Sequence, residues 1–315
     1  MRPGVYVVRI IVDDNLLGFA LFGLRAVRVP EDFSSDPKLN AHIARVLRVG
    51  MPTGTAISLL SAALRKWFKP RFTGLDRLPE QPALFVGNHA LLALDAFTFH
   101  TLMHVDHRRF LRPLGDKTLF ADKQYADAVI GLGAALGHPD VVRGLMAHQK
   151  DLLLYPGGTY EAVKSPEQRY ALMWKQRLGF VRLAAEMGYT IVPFASVGPD
   201  EYYEQYLTGA DVQQAQLTQL LMRVGVLPNV LRSDIVPPLP AGALGSLLPK
   251  PKATYFGFCE PVVLKEFTGQ TLQDSALKEI RTRIESAIET EIKNLLLLRE
   301  RQRHSDGPLR RLLNL

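Results

Sequence analysis

The sequence is almost without cysteine. Cys259 is the single one in 315 residues, which excludes an intrachain disulfide framework and a cysteine-ligated metal cluster and points to a reducing compartment. Long uncharged hydrophobic runs are missing as well. A membrane-crossing helix needs about 20 such residues, and the best candidate, VVRIIVDDNLLGFALFGLRAV, is interrupted by Arg9, Asp13 and Asp14. The same acids are out of place in a secretory leader. Negative charge is in deficit: 38 Lys and Arg stand against 31 Asp and Glu, a net +7. This mild excess fits an anionic partner without choosing among membrane surface, phosphorylated ligand and nucleic acid. The basic residues are scattered and form no nucleic-acid module. The expectation is a cytoplasmic protein held peripherally at a membrane, with no spanning helix, no nucleic acid among its partners and its oligomeric state open.

What the chain does have is apolar material, 47 % of its residues, enough for one large domain or two modest ones. Short apolar runs that end in glycine, PALFVGN (82–88), DLLLYPGG (151–158) and TIVPFASVG (190–198), read as buried strands of a parallel sheet. TYFGFCEPVVL (254–264) reads as a further strand. Helical patterns lie between them, 167–187 included, so the expected fold is α/β, a mixed, mostly parallel sheet flanked by helices. Before it, residues 1–70 are expected to form a helical, membrane-facing region. There Ile57, Leu60, Leu64, Trp67 and Phe68 recur at helix spacing. The basic-aromatic stretch RKWFKPRF (65–72) suits a lipid headgroup boundary, or equally a core edge with solvated lysines beside it. VYVVRIIV near the start fits a strand or a buried helix. Residues 237–252 read as a Pro/Gly/Leu-rich loop. After the domain at 71–265 comes a C-terminal amphipathic helix and tail (266–315), with Leu277, Ile280, Ile284, Ile288, Ile292 and Leu295 on one stripe.

The candidate chemistry begins at GNHALLALD (87–95). A histidine beside a carboxylate is the working unit of general base catalysis: the acid fixes the ring and stabilises its charged form, and the other nitrogen takes a proton. His89 follows the strand at 82–87, at the sheet edge where open α/β folds bind ligands. Six positions separate it from Asp95. On one continuous helix that is about 240° of rotation, so the two meet only if 90–94 is a loop or irregular turn and Asp95 starts the next helix. The alternative is that Asp95 merely caps the helix AFTFHTLMH. YPGGTYEAV (155–163) places a proline and two glycines after a strand, where backbone N–H groups can approach a ligand oxygen or phosphate. Pro193, after two β-branched residues, is expected at a strand end, where a missing N–H matters little.

GNHALLALD, YPGGTYEAV, YALMWKQRLGFVRLA and IVPFASVG, in that order, resemble the motifs of the glycerolipid acyltransferase superfamily, and within it the diacylglycerol acyltransferase-like branch that includes phytyl ester synthases. The resemblance spans roughly residues 70–265. It implies an acyltransferase in which His89 is the base and Asp95 its support. It also implies that Pro156, Gly157, Gly158, Glu161, Arg177 and Pro193 bind substrate. Two features depart from the commonest pattern. Five residues rather than four separate His from Asp, and Gly157 and Tyr160 stand where a Glu and an Arg are usual. A lost arginine favours a neutral lipid acceptor over a phosphorylated one. The implied reaction moves a fatty acyl group from acyl-CoA or acyl carrier protein to a lipid alcohol such as diacylglycerol, a long-chain alcohol or a lysophospholipid. The alcohol itself attacks, and N–H groups at Gly157–Gly158 steady the oxyanion. No bound cofactor is expected. Lys117, Lys123 and Arg143 are candidates for the phosphates of CoA, with Lys164 and Arg177 beside them. The superfamily's second motif falls around 131–145.

Other chemistries find less support. A serine-type lipid hydrolase needs Gly-x-Ser-x-Gly, and FASVG (194–198) has Phe194 at the first glycine. GLGAALG (131–137) has its last glycine one residue late for a dinucleotide loop and no clear strand before it. His100, His104 and His107 share a helical face near Asp106 but lack the glutamate of a His-Glu-x-x-His site, so no metal is expected. A non-catalytic protein that binds lipid at a membrane surface remains an alternative.

Overall fold

The computed structural model describes residues 6–9, 25–28, 36–120, 122–207, 239–302 and 307–314. Eleven strands are described: β1 (Tyr6–Arg9), β2 (Arg25–Arg28), β3 (Arg71–Thr73), β4 (Ala83–Gly87), β5 (Arg112–Gly115), β6 (Ala135–Leu136), β7 (Leu152–Leu154), β8 (Thr190–Val197), β9 (Glu204–Leu207), β10 (Leu239–Ala241) and β11 (Tyr255–Phe258). The helices are α1 (Asp36–Arg48), α2 (Thr55–Phe68), α3 (Leu94–His107), α4 (Lys123–Gly131), α5 (Pro139–Ala147), α6 (Thr159–Ala162), α7 (Gly179–Glu186), α8 (Asp274–Arg301) and α9 (Pro308–Leu313).

Seven strands form the main sheet in the order β3-β11-β8-β4-β7-β5-β6. All its pairings are parallel except β11 with β8, which is antiparallel. The expected mixed, mostly parallel α/β fold is what the chain adopts. The central strands β4 and β11 are buried along their whole length, which is why they read as unbroken apolar runs. Alternate residues feed two different layers. Leu84, Val86, Ile191 and Val197 join α1, α5, α7 and α8 in one core. Phe85, Leu153, Val192, Phe194, Phe256 and Phe258 meet Phe99 and Met103 of α3 in the other. The C-terminal stripe is seated as its periodicity requires. Leu277, Ile284, Ile288, Ile292 and Leu295 of α8 are buried and Ile280 is partly so.

Several expectations are corrected. Residues 1–70 are helical in α1 and α2, but before them β1, within VYVVRIIV, and β2 pair antiparallel, and the rest of residues 1–35 lies outside the described residues. The aromatics of RKWFKPRF face inward. Phe68 stacks on Tyr202 at 4.2 Å, Trp67 donates to the Pro249 carbonyl and Phe72 packs among Phe99, Phe256 and Phe258. Within 167–187 only α7 is α-helical, and Tyr170 and Lys175 adopt positive φ. The strand at 254–264 shortens to β11. Part of the loop at 237–252 is strand β10, paired with β9. Pro193 stands not at a strand end but inside β8, opposite Val86. Its carbonyl accepts from Cys259, just past the last residue of β11. A residue's N–H and C=O point to the same edge of a strand, so the absent N–H falls where β11 has stopped pairing.

Candidate active site

Adjacent strands β4 and β7 send their chains to opposite faces of the sheet. After β4 the chain enters α3 on one face, and after β7 it reaches α7 on the other. A crevice at the carboxyl ends of such strands is the usual ligand position in open α/β folds. His89 leaves β4 there, and Tyr155 to Gly158 leave β7.

The turn that joins His89 to Asp95 is the irregular one that the pairing demands. Leu91–Ala93 form a single 3₁₀ turn and Ala93 takes φ 59°, after which α3 begins at Leu94. Asp95 therefore lies in the first turn of α3 and caps no helix N–H. Its Oδ2 faces back, 3.0 Å from His89 Nδ1, and accepts the Ala90 N–H at 3.1 Å. The carboxylate is fully buried, while the histidine side chain keeps 10 % of its surface open. The positive end of α3 also favours an anion at that place. The ring lies flat on Tyr155, centroids 4.1 Å apart and planes 13° apart. With Nδ1 engaged and one face covered, Nε2 is the nitrogen left for chemistry.

Burial opposes charge on His89, but the charge and hydrogen bond of Asp95, helped by Glu161, outweigh it, and Lys164 works against them. The imidazole pKa is raised above its ordinary value. Burial pushes the Glu161 carboxyl up, against the Met173 N–H and Lys164. Burial also pushes the Tyr155 phenol well up.

The remaining residues singled out by the sequence are only partly brought together. Pro156, Gly157, Gly158 and Glu161 come together beside His89. Glu161 Oε2 accepts the His89 N–H at 3.2 Å and Oε1 accepts the Met173 N–H at 2.9 Å. Both oxygens are thus used to hold backbone. A Cβ on Gly157 would stand 2.3 Å from the Glu161 carboxyl carbon, so only glycine fits. The Gly158 N–H already donates to the Tyr155 carbonyl at 2.9 Å, which withdraws it as an oxyanion donor and leaves Gly157 as the candidate. Arg177 donates to the Pro156 carbonyl and Lys175 sits 4.1 Å over the Tyr160 ring. The turn therefore carries positive charge although Tyr160 replaces an arginine. That weakens the sequence argument for a neutral acceptor.

The CoA-phosphate candidates do not gather into one cluster. Arg143 is committed to Glu186 and Asp140, and Lys123 pairs with Asp127 on α4. Lys117 is exposed in the 3₁₀ turn after β5. Lys164 is buried in an ion pair with Asp200, out of reach of a phosphate. Sequence reasoning missed Asn88 and Asp200. The Asn88 side chain pairs with both the N–H and the C=O of Ser196 and prolongs the β4–β8 ladder by one residue. Ser196 itself lies inside β8, opposite Phe256, not on a strand-to-helix elbow. His104 is bound to the Pro52 carbonyl and His107 packs edge-on against Phe72. Among the described residues no group of three His, Cys, Asp or Glu side chains is placed to hold a metal ion.

Parts of the chain are similar to known proteins. The diacylglycerol acyltransferase family matches residues 129–244, a stretch that contains the Pro-Gly-Gly turn, Glu161, Lys164, Arg177 and Asp200 and begins after the His89 motif. The chloroplastic phytyl ester synthase 2 of Arabidopsis thaliana is 28 % identical over 245 residues, 72 % of this chain and 34 % of that protein. Phytyl ester synthase 1 of the same plant is 30 % identical over 148 residues, 45 % of this chain and 21 % of that protein. The matched part thus spans about a third or less of these plant relatives. The crystal structure of the 1-acyl-sn-glycerophosphate acyltransferase of Thermotoga maritima aligns over 81 % of this chain and 88 % of that one, at 13 % identity and a TM-score of 0.44. The ordered motifs and the family match make residues 129–244 similar to the diacylglycerol acyltransferases, and a longer stretch of the chain similar to the phytyl ester synthases.

Proposed function

We propose that the protein transfers a fatty acyl group from an acyl thioester, acyl-CoA or acyl carrier protein, to the hydroxyl of a lipid alcohol, with His89 as the general base. The observation that carries this is the 3.0 Å contact between His89 Nδ1 and Asp95 Oδ2 at the mouth of the β4–β7 crevice. In the reaction Nε2 takes the alcohol proton as the oxygen attacks the thioester carbonyl. Asp95 steadies the imidazolium, and the N–H of Gly157 is the nearest candidate for the oxyanion. The tetrahedral intermediate then expels the thiolate, which recovers the proton from His89, and an ester remains. The alcohol is the nucleophile, so no acyl-enzyme forms.

The relatives' names, phytyl ester synthases, support an apolar alcohol as acceptor. The positive charge that Arg177 brings to the turn leaves a lysophospholipid open. A lipid acceptor calls for a membrane surface, and no helix among the described residues is long and apolar enough to cross one. We assign peripheral docking to the outward row of α2 and the loop after β10.

The purified protein, incubated with labelled acyl-CoA or acyl carrier protein and a panel of lipid alcohols, should yield a labelled ester. His89→Ala should abolish it while the protein stays folded. Turnover retained in that variant rejects the assignment. Release of free fatty acid without ester formation, blocked by a fluorophosphonate, would favour a serine hydrolase instead. Lipid binding without either product would favour a non-catalytic carrier.

A further inference from the structure

His89 is the first residue wholly outside the sheet, because the Asn88 side chain still pairs with Ser196 of β8. Its own N–H and C=O are buried and off the ladder, and such groups need partners. Both partners are charged and come from one short segment after the Pro-Gly-Gly turn. Glu161 Oε2 accepts the N–H, and Lys164 Nζ donates to the C=O at 2.7 Å. The same ammonium lies 2.7 Å from Asp200 Oδ2, with each side chain 2 % exposed. Asp200 Oδ2 in turn accepts the Tyr170 N–H at 2.6 Å. One cation thus joins the segments just beyond β4, β7 and β8, three strands adjacent in the sheet.

Stability alone gives little reason for this arrangement. Burying two ions costs several kcal/mol each before they attract one another, and a neutral donor would satisfy a carbonyl. Asp200 Oδ1 is buried without a hydrogen-bond partner among the described residues, so the pair is not even fully satisfied. What the pair does that a neutral donor would not is tie the His89 carbonyl, through one ammonium, to the segments beyond both β7 and β8.

We propose that Lys164 and Asp200 are positioning residues that hold the His89 backbone so that its ring stays in register with Asp95. The proposal rests on the reading of His89 as the base. Neither residue touches substrate; both act through the histidine. The charged groups around the ring are Asp95 from α3, Glu161 from α6 and Lys164 just beyond it, with the Tyr155 phenol from β7 and Asp200 behind Lys164. Of these, Lys164 opposes protonation of His89.

Lys164→Met alone would leave Asp200 buried and unpaired, so the informative variant is Lys164→Met with Asp200→Asn, which removes both charges together. Its melting temperature should stay near the wild-type value. Its kcat should fall about 10- to 100-fold, the effect of a slightly misplaced base, with KM little changed. Histidine NMR provides a readout that needs no turnover, the His89 signals being assigned by their loss in His89→Gln. In the double variant the hydrogen-bonded Nδ1 proton should broaden or vanish, the direct mark of a ring out of register with Asp95; the titration has no fixed sign there, because losing Lys164 raises the pKa while a loosened Asp95 contact lowers it. If the double variant does not fold, Asp200→Asn alone carries the same readouts. There the unneutralised Lys164 should move the titration to lower pH. An intact Nδ1 proton and wild-type kcat in a folded variant would overturn the proposal. A wild-type protein that transfers no acyl group would fail the acyltransferase reading, while the His89 Nδ1 proton would still decide this one.

Discussion

At the scale of single residues, every polar group of His89 but Nε2 is held, and this makes its titration informative. The raised pKa sets two signs. In the proposed reaction the working base is the neutral ring, so kcat should climb as pH rises through a value above the ordinary 6.5. Folding runs the other way. A cation favoured in the folded state lends stability that is complete below about 6.5 and is lost as pH rises through the raised value. Asp95→Asn removes the attraction and leaves the burial, so the acidic limb should move down while the plateau drops by about 10²–10⁴-fold. A kcat–pH profile that kept its limb would show that Asp95 does not tune the ring. Tyr155 separates stacking from hydrogen bonding. Its hydroxyl is buried without a partner among the described residues, so Tyr155→Phe should keep turnover and stability, whereas Tyr155→Leu, which loses the flat face under His89, should lower kcat about tenfold. The His89–Asp95 contact and the Pro-Gly-Gly turn were legible because each lies within one short segment that leaves a strand. Lys164 and Asp200 were not. Lys164 lies 75 positions from the carbonyl it holds, and in the sequence it is one lysine among many.

Among the elements, the segment 167–187 shows why periodicity can mislead. Its apolar spacing fits a helix, yet the Tyr170 and Met173 N–H groups are drawn to Asp200 and Glu161. A buried carboxylate short of donors is costly, and meeting it outweighs the few tenths of a kcal/mol per residue that helix propensity offers. The strands were readable because runs buried on both faces leave no polar alternative. The C-terminal helix was readable for the opposite reason: its stripe is one-sided. That stripe lets burial be graded along α8. Ile288, fully buried, should cost about 2–5 kcal/mol on replacement by alanine. Ile280, only partly buried, should cost less than half as much. Denaturant titration of the two variants checks the ratio, and equal losses would mean that α8 is seated differently along β8. Neither change should alter KM.

For the molecule as a whole, the question is where the proposed acyltransferase, with its His89–Asp95 pair buried, would meet a lipid. In the sequence the aromatics of residues 65–72 suit a headgroup boundary or a core edge, and the structure takes the second: Phe68 is buried and Phe72 partly so. The exposed apolar surface lies beside them. Along α2, Ala56, Leu59, Ala63 and Lys66 form an outward row, with Leu59 at 66 % exposure. Trp67 ties the end of that helix to the loop after β10 through the Pro249 carbonyl. On that loop Leu244 is 67 % and Leu248 48 % exposed. Beneath, Leu64 and Phe68 of α2 pack with Leu91, Tyr202 and Tyr203, and Leu91 belongs to the turn between His89 and Asp95. Exposed leucines bordered by Arg65 and Lys66 suit an anionic bilayer interface, and beneath this one Leu64 and Phe68 pack on Leu91 of the His89–Asp95 turn. Vesicles of mixed neutral and anionic lipid should therefore carry the protein upward in a flotation gradient. Raising salt toward 1 M, where the Debye length shrinks to about 3 Å, should weaken that binding without abolishing it. Leu59→Ser, Leu244→Ser and Leu248→Ser together should abolish it, with circular dichroism unchanged and turnover on a dispersed, short-chain alcohol preserved. If the triple variant floats as the wild type does, the bilayer meets another face, and the path from lipid to His89 does not run beneath α2.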